Sequence, residues 1–131
     1  MGLLFNLYLI YKKMSSMKNR VQLIGNLGRD PEVKTFEKGV VKASFTVATN
    51  ESYKNSGGET VENVEWHQVI AWKHTAQFAE KHLSKGMKVV IDGKISNRSF
   101  ESKNGERKYI TEIIAQDIVI LSQKKETAEA A

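Results

Sequence analysis

The sequence predicts an all-β protein of one domain: a five-stranded Greek-key barrel with one α-helix between strands 3 and 4. Three observations lead to this prediction. The 131 residues are enough for one domain and too few for two ordinary ones. Apolar and polar residues alternate in several segments, which is the period of a half-buried strand. Only residues 75–84 have helical spacing, and they follow three strand-like segments and precede two more.

The first strand is predicted over residues 20–28 and ends at a Gly-Arg-Asp-Pro turn. Residues 33–36 read as a short extended piece. Residues 40–49 form the clearest strand, because Val41, Ala43, Phe45 and Val47 alternate with polar or small neighbours. We expect Phe36, Phe45 and Phe78 to lie in the core.

A polar hairpin loop is expected over residues 50–62, followed by a third strand over 63–73. Helix 75–84 stops at a Lys-Gly pair. The fourth strand, 87–100, is expected to bend at Gly93. Asn104-Gly105 is a hairpin signal, and residues 107–121 form the last strand. This order is that of the OB-fold.

The two ends differ from the body of the chain. Residues 1–16 hold an apolar run too short to span a bilayer, with its lysines on the wrong side for a signal peptide. We interpret them as an extension ahead of a start at Met17 or as a frayed end, and a membrane anchor is less favoured. Residues 17–122 are the expected domain, and residues 123–131 are expected to be a short disordered tail.

Chemistry that an enzyme needs is not evident. Without cysteine there is no disulfide, thiolate zinc site or cysteine nucleophile. His67, His74 and His82 lack metal-binding spacing, and His67 reads as a hydrogen-bonded structural or interface residue. An acidic cluster near Glu62 reads as a solvated loop face. We therefore expect no catalytic activity, no metal and no cofactor.

Aromatic residues are instead interleaved with basic ones, in a chain of net charge +5. Flat side chains that stack on bases, with cations along the phosphates, are typical of single-strand nucleic-acid binding. The candidate stacking residues are Tyr53, Trp66, Trp72 and Phe100. The candidate basic contacts are Arg20, Lys34, Lys73, Lys85 and Arg98.

Other interpretations remain open on these residues. Trp66 and Trp72 lie on one side of a strand and would also suit a core. An assembly module of the primosome type would use exposed rings for protein contacts. An OB-fold hydrolase such as a nuclease is less favoured, because no carboxylate–metal or histidine arrangement is present.

Several blocks resemble bacterial single-stranded-DNA-binding proteins: VQLIGNLGRDPEV at 21–33, FTVATNESY at 45–53, EWHQV at 65–69, KGMKVVIDGKI at 85–95 and YITEIIA at 109–115. The resemblance covers about residues 17–122. It implies an OB-fold that forms homotetramers in the cytoplasm, associated with the nucleoid, and that protects single-stranded DNA in replication, recombination and repair. It also implies no membrane partner.

The resemblance places the family's stacking aromatics on the four rings above. Its basic contacts fall most credibly on Arg20, Lys34, Lys85 and Arg98, while Gln68 stands where relatives often carry arginine. His67 matches a histidine near a subunit interface. Family members typically end in an acidic tip that recruits partners, and the printed sequence ends without one. We therefore expect DNA binding without the usual recruitment, as in an accessory copy from a mobile element or phage.

Overall fold

A computed structural model describes residues 2–122 of the chain. The six strands are β1 (Val21–Leu27), β2 (Glu32–Thr35), β3 (Val41–Lys54), β4 (Thr60–Trp72), β5 (Lys88–Glu101) and β6 (Arg107–Ile120). The two α-helices are α1 (Gly2–Met17) and α2 (Lys73–His82), and a 3-10 turn covers Glu37–Gly39. The predicted tail 123–131 lies outside the described residues.

The sheet has the strand order β1-β5-β6-β4-β3-β2, and an additional pairing of β1 with β3 closes the barrel. The closed ring thus consists of the five longer strands, and β2 adds to the edge of β3. The predicted five-stranded barrel is confirmed. The helix between the third and fourth barrel strands is also confirmed, shifted two residues towards the N-terminus.

The core lies inside the barrel and under α2. Phe45 and Val47 of β3, Val69 of β4 and Ile91 of β5 are fully buried there. Phe45 is in the core as predicted, and Phe78 packs against it from α2. The prediction for Phe36 is wrong, because its side chain is 42% exposed just after β2 ends.

Two glycines allow backbones to approach closely where the barrel bends. A Cβ at Gly25 would overlap the carbonyl of Ala48, where β1 crosses β3. A Cβ at Gly93 would overlap the carbonyl of Ile114, at a shift in register between β5 and β6. The predicted bend at Gly93 is therefore confirmed, and its cause is a β-bulge.

The predicted loop 50–62 is wrong in extent. β3 and β4 stay paired as far as Lys54 and Thr60, and only residues 55–59 turn. The Asn55 side chain closes that turn by accepting hydrogen bonds from the backbone N–H groups of Gly57 and Glu59, both at 2.9 Å. Polar residues here form a solvated two-stranded ribbon, which composition alone does not separate from a loop.

Helix α1 contradicts the prediction that residues 75–84 are the only helical segment. Its apolar residues surround the axis instead of forming a stripe, so their periodicity does not indicate a helix. Its described side chains, at residues 2–14 and 17, are all exposed. Among the described residues 2–122, no helix has the length and apolar character needed to cross a membrane.

Candidate nucleic-acid interface

Most of the predicted stacking residues share one outer face of the sheet. Side chains alternate between faces along a strand, and cross-strand partners share a face. Val69 and Ala71 of β4 are buried inside the barrel, so Trp66 and Trp72 lie on the outer face of the same strand. The same face continues through the paired residues Ile70, Ile114 and Lys94 onto β5, where it reaches Phe100.

The rings on this face are open to solvent. Trp66 is 62% exposed, Trp72 39% and Phe100 43%. The alternative that the two tryptophans belong to the core is therefore wrong. Six residues of strand separate them, which is about 20 Å of extended chain, so the two rings are well separated along this face.

Tyr53 is also exposed, at 57%, but it lies on the other face of the β3–β4 ribbon. Ala48 is the cross-strand partner of Trp66, and Tyr53 is five residues further along β3. An odd separation places the two aromatic side chains on opposite faces. The structure thus brings three of the predicted rings onto one face and leaves Tyr53 on the reverse of the ribbon.

The Trp66 ring lies against Gly28, at the turn after β1. A Cβ at Gly28 would overlap the Trp66 ring and would also approach the Thr46 hydroxyl within 2.8 Å. The absence of a side chain at Gly28 therefore leaves room for the indole. The Trp66 ring thus packs against the backbone at Gly28 while most of its surface remains exposed.

Phe36 and Lys42 extend this face, although neither was predicted to belong to it. Lys34 pairs with Lys42, and Lys42 pairs with Trp72, so these side chains share the face. The Phe36 and Trp72 ring centroids are 6.0 Å apart. The sequence signal for Phe36 was its spacing from Lys34, because residues two apart on a strand share a face.

An ammonium group lies over each of these two rings. Lys34 Nζ is 5.8 Å from the Phe36 centroid, and Lys42 Nζ is 5.6 Å from the Trp72 centroid. Both contacts lie within the range of cation–π attraction. Lys34 is therefore part of the face, and its positive charge lies directly beside the Phe36 ring.

Arg98 occupies the same face near Phe100. Its guanidinium donates to both carboxylate oxygens of the buried Glu112, with Nε to Oε1 at 2.9 Å. That hydrogen bond, with the attraction between the charges, raises the pKa of Arg98. The guanidinium carbon is also 5.9 Å from the Phe100 centroid. Much of the charge of Arg98 is thus already compensated, and its side chain lies beside the ring.

The remaining predicted cations are placed differently. Arg20 forms an ion pair with Asp92 on β5, with Nη2 to Oδ2 at 2.8 Å, which raises the pKa of Arg20 through a hydrogen bond and charge attraction. Lys85 is exposed in the loop after α2, and its backbone N–H donates to Asp30 at 2.8 Å. Lys73 is exposed directly after Trp72.

His67 makes a hydrogen bond of 2.9 Å between Nε2 and the Thr49 hydroxyl. It is half-buried and borders a concave surface that also includes Leu23 and Ile24. This geometry agrees with a structural histidine. Within residues 2–122, no group of three or more histidine or carboxylate side chains is arranged to hold a metal ion.

Comparison with known proteins gives a consistent family. A family model described as the single-strand binding protein family matches residues 18–121. Single-stranded DNA-binding protein 1 of Chlorobaculum tepidum is 41% identical over 107 residues, which are 81% of this chain and 66% of that protein. Single-stranded DNA-binding protein 1 of Staphylococcus aureus (strain Mu50) is 42% identical over 108 residues, covering 82% of this chain and 68% of that protein. The chain thus spans about two thirds of the length of these relatives.

A solved structure supports the same fold. The SSB of Plasmodium falciparum in complex with single-stranded DNA superposes with a TM-score of 0.75 at 30% sequence identity. The match covers 79% of this chain and 95% of that one. The likeness extends through almost the whole of the Plasmodium chain, so the OB-fold assignment is confirmed.

Proposed function

The chain belongs to the single-strand binding protein family, and from that premise we propose that it binds single-stranded DNA without sequence specificity. Bases stack on exposed rings, and cations hold the phosphates. The observation that carries this proposal is the shared outer face, where Trp66, Trp72 and Phe100 are open to solvent beside basic side chains.

The proposed contacts follow from the geometry of each group. Bases stack on Trp66, Trp72 and Phe100 on the outer face. A further base stacks on Tyr53 where the single-stranded DNA passes round the β3–β4 ribbon. Lys34, Lys73 and Lys85 contact phosphates through their ammonium groups. Arg20 and Arg98 contribute less, since each already pairs with a carboxylate. Three neutralised phosphates would give a log–log salt slope of about −2.

The printed names of the family and of the relatives describe binding to DNA and no catalysed reaction. The chain is therefore not an enzyme, as its sequence predicts. The domain that binds is residues 17–122. Its cellular role is protection of single strands during replication, recombination and repair, in the cytoplasm and associated with the nucleoid.

Assembly into homotetramers is a second part of the proposal. It is supported by an apolar row across the outer surface of β1, β5 and β6, formed by the cross-strand partners Ile24, Val90 and Val119. Ile24 is 52% exposed and Val119 54% exposed. A second copy covering this row would remove apolar area from water. Sedimentation of the full chain and of Ile24→Glu tests this, and a monomer in both samples would contradict it.

Tryptophan fluorescence tests the binding directly. The full chain is titrated with oligo(dT), and we expect saturable quenching, because both tryptophans are exposed and available for stacking. A duplex of equal length serves as the control and should quench less. Unchanged emission together with unchanged anisotropy of a labelled oligo(dT) would contradict the proposal.

A further inference from the structure

Phe36 is an exposed ring whose position the fold fixes without burying it. Its backbone N–H donates to the Val40 carbonyl at 2.7 Å, and its carbonyl accepts from the Gly39 N–H at 3.2 Å. These two hydrogen bonds close the turn that follows β2. The ring is thus held at the edge of the outer face while 42% of the residue stays exposed.

The Phe36 and Trp72 rings lie close together and have similar orientations. Their planes differ by 31° and their centroids are 6.0 Å apart. That separation is a little less than twice the rise of about 3.4 Å per nucleotide in one strand of B-form DNA. Two successive bases of an unstacked, extended strand therefore match the spacing of the two rings.

One face of each ring is open to a ligand. An ammonium group occupies a position over Phe36 at 5.8 Å and over Trp72 at 5.6 Å. Both rings are also partly exposed to solvent, Phe36 at 42% and Trp72 at 39%. Lys34 and Lys42 thus mark the two open faces, and each lysine can leave its ring for a nearby phosphate.

We propose that Phe36 and Trp72 form a two-ring platform that stacks two successive bases, with Lys34 and Lys42 moving from the rings to the flanking phosphates. Phe36 is then a base-stacking residue in addition to the four proposed above. This inference rests on the proposed single-strand binding and adds one base contact and one phosphate contact, at Lys42. The exchange is favourable because an exposed cation–π contact is weaker than a stacked base.

The test measures the affinity of the full chain for a short labelled oligo(dT) by fluorescence anisotropy. Phe36→Ala removes the ring, Phe36→Leu keeps apolar bulk without an aromatic face, and Phe36→Trp restores a ring. We expect Phe36→Ala and Phe36→Leu to weaken binding by about 5- to 150-fold, the range for one stacked base. Phe36→Trp should retain affinity, and thermal unfolding should be unchanged in all three.

Tyr109→Ala is the matched control, since Tyr109 is 78% exposed and lies on the opposite face of the β5–β6 hairpin from Phe100. Its affinity should equal that of the unsubstituted chain. If Phe36→Leu binds normally and Trp72→Ala binds weakly, the two-ring platform is wrong. The proposed single-strand binding would be unaffected by that result. Failure of the unsubstituted chain to bind oligo(dT) would instead overturn both.

Salt dependence separates the role of the lysines from that of the rings. Lys42→Met should flatten the log–log salt slope by about 0.7, the value for one phosphate of a single strand. Phe36→Leu should lower affinity with no change in slope, because it removes no charge. An unchanged slope in Lys42→Met would contradict the transfer of that lysine to a phosphate.

Discussion

Arg98 and Glu112 face each other across the β5–β6 hairpin, and the carboxylate is the more deeply buried partner. The side chain of Glu112 is 7% exposed, whereas that of Arg98 is 51% exposed. The guanidinium thus covers a carboxylate that has little access to water, and the same side chain lies over Phe100. One arginine therefore links the two strands of the hairpin and lies beside the exposed ring of Phe100.

We predict that Arg98→Ala lowers the melting temperature, because it leaves the Glu112 carboxylate buried without its partner. It should also weaken DNA binding through the loss of support for Phe100, with little change in salt slope, since the removed charge was already paired. Thermal unfolding and anisotropy at several salt concentrations measure these effects. The control is Arg98→Ala combined with Glu112→Gln, which should recover part of the stability. A strongly flattened slope in Arg98→Ala would identify Arg98 as a phosphate contact instead.

Removal of either tryptophan should affect binding much more than folding. Trp66→Ala and Trp72→Ala are each expected to weaken binding by roughly 1–3 kcal/mol, the value for one stacked base. The barrel should still fold, because both rings lie outside the core. Isothermal titration with oligo(dT) and circular dichroism measure the two properties. Loss of the folded spectrum in either variant would contradict this separation.

Gly28→Ala is predicted to weaken binding by displacing the Trp66 ring. The added methyl group would overlap the indole and push it off the backbone. Gly57→Ala is the matched control, because a Cβ there would meet only ordinary contacts, the nearest being Asn55 Oδ1 at 3.5 Å. Equal affinities of the two variants would show that the Trp66 position does not matter for stacking.

Lys85 allows a test of the phosphate path away from the rings. Lys85→Ala should flatten the salt slope by about 0.7, since one phosphate contact of a single strand is lost. The fold should be unaffected, because the contact of Lys85 with Asp30 is made by the backbone N–H and survives the substitution. An unchanged slope would show that the bound DNA does not pass the loop after α2.

Gly93→Ala addresses the barrel itself. Its methyl group would overlap the Ile114 carbonyl at the bulge between β5 and β6. Overpacking of this kind costs about 1–3 kcal/mol of the free energy of unfolding. Urea denaturation measures the loss, and stability equal to that of the unsubstituted chain would show that the bulge accommodates a side chain.

The parts of the fold that the sequence predicts are those with a clear period. Alternation around Phe45 identifies a core strand, and Asn104-Gly105 identifies a hairpin. A strand that is exposed to solvent on both faces has no alternation of apolar and polar residues. The sequence therefore predicts a loop at Tyr53, although Tyr53 lies in a paired strand. Helix α1 is not predicted either, because its apolar residues lie on all sides of the helix and show no helical periodicity.

The candidate site divides in the same way. Residue type alone identifies the exposed tryptophans as candidates, but it does not place Phe36 outside the core. Its exposure depends on where β2 ends and on a backbone turn closed with Val40, which are features of pairing and not of composition. Likewise, the partners of Arg98 and Arg20 are brought close by strand register from 14 and 72 residues away.

Both long hairpins extend past the packed interior, and residues 50–60 and 103–109 are exposed throughout. Insertions, deletions or exchanges at these tips leave Phe45 and its buried neighbours untouched. Under the proposed binding, changes at these tips would alter the length of DNA that the chain contacts while the buried core stays the same. Lengthening these two hairpins is accordingly a practical way to design variants that contact a longer segment of DNA.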